Sequence, residues 1–173
     1  MVVIITATDA KISPASKSFI GMLEASFNLR NIVHDTISSD INPKLLNLST
    51  AEAANTEFAK LFYIKSTNIS THIDIRSYDS SYIGSDIASK DFIIARTAEV
   101  TEDLNELIVN ALNDFSEVKE ATVDVSTMYT AAYAKLVLDS PTLTVLINEG
   151  STDLYRAAAD SVAEVIEQRE KRV

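Results

Sequence analysis

Asp91-Phe-Ile-Ile-Ala-Arg-Thr97, with the segment Glu102 to Phe115 after it, decides the fold of this chain. The first part is a run of apolar residues that reads as a buried strand over Asp91–Ala98. The second places Leu104, Leu107, Ile108, Ala111, Leu112 and Phe115 at i, i+3, i+4, i+7, i+8 and i+11, a single apolar face at helical period. Thr101 is the expected cap, and Glu102 and Asp103 complement the positive end of the helix dipole.

The same strand-then-helix alternation continues downstream. Ala121-Thr-Val-Asp-Val125 leads through Ser126-Thr127 into a helix carrying Tyr129, Ala132, Tyr133 and Leu136, which Pro141 stops. Thr142-Leu-Thr-Val-Leu-Ile147 then leads into a last helix with Leu154, Ala158, Val162, Val165 and Ile166 on one face. Upstream, Val2–Thr8 reads as a buried strand. Ser13 followed by Pro14 marks a helix start, and that helix runs to about Phe27 with Phe19, Ile20, Leu23 and Phe27 inward. Residues 31–37 fit a strand or a short helix. Ser49-Thr-Ala-Glu52 is a capping box for a helix carrying Ala54, Phe58, Leu61 and Phe62. Thr71-His-Ile-Asp-Ile-Arg-Ser-Tyr78 alternates, which predicts a half-exposed strand with His72, Asp74 and Arg76 on its polar side. The serine-rich remainder of residues 66–90 reads as a loop or arm.

This pattern predicts an α/β (or α+β) fold: one domain over residues 1–173, with helices packed on a mixed or partly parallel sheet and a β-α-β-α-β-α C-terminal half. The strand order across residues 28–98 stays open at this level.

Composition excludes several function classes. Among 173 residues, 25 acids outnumber 15 bases, for a formal charge of -10. That disfavours phosphate-driven binding to nucleic acid or to an anionic membrane. The absence of cysteine removes disulfides, thiolate metal sites and thiol nucleophiles. No apolar run approaches the roughly 18 residues of a membrane span, and the first residues show no basic leader. The expected location is the cytoplasm, or a particle assembled there. Only three glycines occur, Gly21, Gly84 and Gly150, where ordinary usage would give roughly 12. No glycine-rich phosphate loop exists, and no cofactor is expected.

In open α/β sheets ligands collect beyond the carboxyl ends of the strands. Asp9, Asp124 and Glu149 stand at such ends and are the candidate Mg²⁺ ligands. Ser126 and Ser151 stand at strand-to-helix junctions, without the glycines of a nucleophile elbow, and read as caps. His34 and His72, the only imidazoles, read as surface or packing residues.

Charge is segregated. From Glu99 to Asp124 there are eight acids and one base, Lys119, so Glu102, Asp103, Glu106 and Asp114 form a candidate contact face. Arg169, Lys171 and Arg172 offer a complementary patch on a second copy, and Tyr78 and Tyr82 belong to the candidate arm. Head-to-tail pairing of two such patches gives rings or filaments. The leading expectation is therefore a non-enzymatic structural or assembly protein, a homo-oligomer that meets other protein subunits in a virion or phage neck or tail. The alternatives are a metal-dependent α/β enzyme using strand-end carboxylates, or a small regulatory binding domain.

Overall fold

A single six-stranded sheet organises the chain, in the order β2-β1-β3-β6-β4-β5. The computed structural model describes residues 2–7, 13–38, 69–78, 89–96, 103–122 and 141–171. Its strands are β1 (Val2–Ala7), β2 (His34–Ser38), β3 (Ile69–Tyr78), β4 (Phe92–Arg96), β5 (Val118–Thr122) and β6 (Thr142–Asn148). Its helices are α1 (Pro14–Leu29), α2 (Asp103–Asn113) and α3 (Tyr155–Lys171), the last preceded by a short 3₁₀ turn at Thr152–Leu154. The α/β reading holds. The predicted capping box at Ser49, the helix between Ser126 and Pro141, and the serine-rich tract at 79–88 lie outside the described residues.

β1, β2, β3 and β6 run parallel. β4 and β5 are parallel to each other, but β4 meets β6 antiparallel. The sheet is therefore mixed, and the carboxyl ends of β4 and β5 lie at the opposite edge from those of β1, β3 and β6.

All three described helices cover one face. Val3, Ile5, Ile73, Ile75, Leu143, Val145, Ile147, Phe92 and Ile94 point into it and pack with Phe19, Leu23 and Phe27 of α1, Leu104, Ile108 and Leu112 of α2, and Tyr155, Ala158, Val162 and Ile166 of α3. Tyr155 sits at its centre. Its ring meets Phe19 edge-on at 5.6 Å, and its hydroxyl donates to the Asn148 carbonyl at 2.7 Å.

Local signals in the sequence explain the element ends. Ser13 caps α1 by accepting from Ser16 N at 3.2 Å, with Pro14 at the first helical position. α1 stops at Asn31, whose φ of 55° asparagine tolerates better than most residues. The amides of Arg30 and Ile32 then return to the Phe27 carbonyl.

Three expectations need correction. The strand expected at Ala121–Val125 is Val118–Thr122, three residues earlier; along it only Ala121 is fully buried, Val118 and Glu120 are half-buried, and Lys119 and Thr122 are exposed. Leu107, assigned to the inward face of α2, is 44% exposed, because the buried stripe runs through Leu104, Ile108 and Leu112. The third concerns β3. It is not half-exposed: flanked by β1 and β6, it is an interior strand, and His72, Asp74 and Arg76 are buried on the face opposite the helices.

These burials predict unequal costs along α2. Ile108→Ala should lose about 2–5 kcal/mol of stability and Leu107→Ala less than about 1 kcal/mol, as read by urea denaturation. Equal losses would contradict the assigned helix face.

Candidate functional site

Two polar groupings sit on this frame: one inside the sheet, one at its edge. The inner one begins with alternation. Even-numbered residues of β3 share a face with Ile4 and Thr6 of β1 and with Thr142 and Thr144 of β6, through the registers Ile4↔His72↔Thr142 and Thr6↔Asp74↔Thr144.

Hydrogen bonds run across these rows. Asp74 Oδ1 accepts from the Thr6 hydroxyl at 2.7 Å, and Asp74 Oδ2 accepts from Arg76 Nε at 3.0 Å. Thr6 Oγ1 also lies 2.7 Å from His72 Nε2, and Thr142 Oγ1 lies 2.6 Å from His72 Nδ1. The Thr6 proton is committed to Asp74, so Nε2–H must donate to Thr6 and Nδ1 must accept from Thr142. One tautomer and one direction follow: Thr142 to His72 to Thr6 to Asp74. Desolvation lowers the His72 pKa to about 4, against a smaller raising effect of Asp74. The ring is therefore neutral at pH 7.

The outer grouping lies where β1, β3 and β6 end. β1 connects through α1 to β2 on one side, and the chain then returns to β3 on the other. The strand order thus reverses between β1 and β3, the switch point where open α/β sheets form a crevice. Ser77 donates to Glu149 Oε1 at 3.1 Å. Its own oxygen lies 2.6 Å from Ser13 Oγ, so Ser13 is the donor there. The result is a short wire, from the Ser16 amide through Ser13 and Ser77 to the exposed Glu149 carboxylate.

The α1 N-terminus beside this wire is a poor anion cradle. Pro14 has no N–H, and Ser13 takes the Ser16 amide through its side chain and the Lys17 amide through its carbonyl. Farther along the same edge Asp91 is a structural clamp: Oδ1 accepts from Ser151 Oγ at 2.6 Å and Oδ2 from the Glu117 amide at 2.8 Å.

Of the three predicted metal ligands, the structure describes only Glu149. Glu149 directly follows β6 at the end of the sheet where β1 and β3 also finish, and β1 ends there at Ala7, two residues before Asp9. β5 runs the other way and ends at Thr122 on the far edge, two residues before Asp124. Asp9 and Asp124 themselves lie outside the described residues. Among the described residues no group of three or more His, Asp or Glu could hold a metal ion. Neither imidazole serves the edge: both ring nitrogens of His72 are bonded, and His34, the first residue of β2, sits against Phe27 with Nδ1 at 3.0 Å from the Ile32 carbonyl.

Of the candidate contact residues, Asp103, Glu106 and Asp114 are exposed on or just after α2, and Arg169 and Lys171 close α3. Glu102, Tyr82 and Arg172 lie outside the described residues. Tyr78 is not available to a partner: it is 3% exposed, and its hydroxyl donates to the Lys90 carbonyl at 2.5 Å. Among the described residues no helix is long and apolar enough to cross a membrane.

Sequence reasoning missed Thr6, Ser13, Ser77 and Thr142 as members of these groupings. Threonine in a strand and serine at a cap are ordinary by themselves. The available signal was a His-x-Asp-x-Arg alternation inside a strand that also carries Ile73 and Ile75.

No family model and no curated protein matches this chain. Solved structures do. A bacteriophage poly-gamma-glutamate hydrolase is 10% identical with a TM-score of 0.62, over 99% of this chain and 86% of that one. An N-formylglutamate amidohydrolase from Ralstonia eutropha JMP134 is 13% identical with a TM-score of 0.60, over 99% and 94%. A metallo-carboxypeptidase from Burkholderia cenocepacia is 11% identical with a TM-score of 0.62, over 99% of this chain and 57% of that one. At such identities the likeness shows a shared fold. It overturns the expectation of a non-enzymatic ring, filament, neck or tail component, since these neighbours are hydrolytic enzymes. Scarce glycine and histidine exclude particular motifs, not a site built on carboxylates and hydroxyls.

The neutral, buried His72 gives a pH test. Unfolded, the ring takes a proton below about 6.5; folded, it resists until about 4. Its contribution to stability is complete above pH 6.5 and is lost as pH falls towards 4, by on the order of 3 kcal/mol. Chemical denaturation at several pH values should show this slope in the wild type and a shallower one in His72→Gln.

Proposed function

We propose that this chain is a metal-dependent hydrolase whose reaction centre is the crevice at the carboxyl ends of β1, β3 and β6. The observation that carries the reading is the exposed Glu149 carboxylate one strand from the switch point, oriented by the Ser13–Ser77 wire that reaches across from it. The donors at this edge are oxygens, and the two imidazoles are engaged elsewhere. Such a set suits a hard cation, Mg²⁺ or Mn²⁺, better than zinc. Glu149 would hold it, with Asp9 as the second carboxylate by its place in the sequence. When bound, the cation would polarise a carbonyl and acidify water.

Ser77 fixes one carboxylate oxygen of Glu149 and leaves the other for the ligand. The capped α1 terminus does not compete by attracting anions. The substrate class follows the fold neighbours: a poly-gamma-glutamate hydrolase, an N-formylglutamate amidohydrolase and a carboxypeptidase all cleave an amide or peptide link. An acyl-amino acid or a glutamyl peptide is therefore the proposed substrate.

Mg²⁺ or Mn²⁺ should raise the melting temperature, and the purified chain should release amine from N-acylglutamate or γ-glutamyl peptides in their presence. Glu149→Gln should abolish the thermal response and lower turnover by on the order of 100-fold or more. A wild-type chain with neither a thermal response nor hydrolysis would refute the reading.

A further inference from the structure

On the sheet face opposite the helices, Thr144 stands in one row with Thr6 and Asp74, and its antiparallel neighbour on β4 is Ala95. Thr144 is 1% exposed, and its hydroxyl has no hydrogen-bond partner among the described residues. Such a group normally costs about 1–3 kcal/mol when left unsatisfied.

The surroundings suit a guest. Asp74 beside it is fully buried, and among the described residues each of its carboxylate oxygens has one donor, Thr6 for Oδ1 and Arg76 for Oδ2. A carboxylate has about four acceptor positions, so each oxygen keeps capacity. On the other flank Ala95 supplies only a methyl group. Asp74 is already ion-paired with Arg76 at 3.0 Å, so its remaining acceptor capacity suits a neutral donor rather than a second cation.

We propose that an internal water occupies this position, accepting from or donating to Thr144 Oγ1 and donating to Asp74. The water supplies the carboxylate with a third donor and links β6 to the Thr142–His72–Thr6–Asp74 chain at a second point. Buried waters characteristically make about three hydrogen bonds to groups of this kind. The inference stands apart from the hydrolase reading.

Thr71 provides an internal control. It is also 1% exposed with a hydroxyl unpartnered among the described residues, but it lies on the helix-covered face in register with Val3, among apolar side chains. Thr→Val is nearly isosteric and replaces the hydroxyl with a methyl group. Thr71→Val should raise the melting temperature. Thr144→Val should lower it by about 2–4 °C, the shift expected for about 1 kcal/mol in a domain of this size. A rise at Thr144 equal to that at Thr71 would overturn the proposal. The wild type gives a test that needs no variant: a high-resolution crystal structure should show a water peak within hydrogen-bond distance of both Thr144 Oγ1 and an Asp74 oxygen. Empty density there would overturn it as well.

Discussion

The constraint on which the rest depends is the burial of β3 on both faces. Its position between β1 and β6 gives Ile73 and Ile75 to the helix-covered core and leaves His72, Asp74 and Arg76 no solvent. Buried charge is tolerated only when paired and hydrogen-bonded. The flanking strands meet that demand with threonines: Thr6 from one side and Thr142 from the other each place a hydroxyl on the imidazole. A register slip of one residue would turn all three polar side chains onto the apolar face. The network therefore specifies alignment as well as contributing energy.

The same strand links the interior to the edge. Arg76 and Ser77 are successive residues on opposite faces of β3. Arg76 holds the Asp74 carboxylate inside, and Ser77 holds Glu149 at the crevice. The polar chain within the sheet thus fixes the strand from which the exposed carboxylate is oriented. A solvated strand would leave the Ser77 hydroxyl less well placed.

The helices and most strands were legible because their signals are local. The apolar stripe of α2, the Ser13-Pro14 start of α1 and the runs in β1, β4 and β6 were each visible within a dozen residues. The exposed Leu107 shows the limit of periodicity: it defines a stripe, and only packing sets the stripe's width. β3 shows another limit. Polar alternation looks the same whether the polar face meets water or threonines from strands about 66 and 70 residues away. Strand direction was also illegible. The expectation of a mixed or partly parallel sheet did not say which strands reverse, and only the antiparallel pairing of β4 with β6 parts the carboxyl end of β5 from the other three.

That pairing bears on how the chain can come together. Among the described strands β6 comes after the other five in sequence, yet it lies between β3 and β4 and joins the β2-β1-β3 ribbon to the β4-β5 pair. Until it leaves the ribosome, both ribbons present a raw edge of unpaired amides and carbonyls. Assembly is thus a keystone closure: two half-sheets wait on one late insertion whose contacts are distant in sequence. Such closures are slow and expose the nascent chain to mispairing.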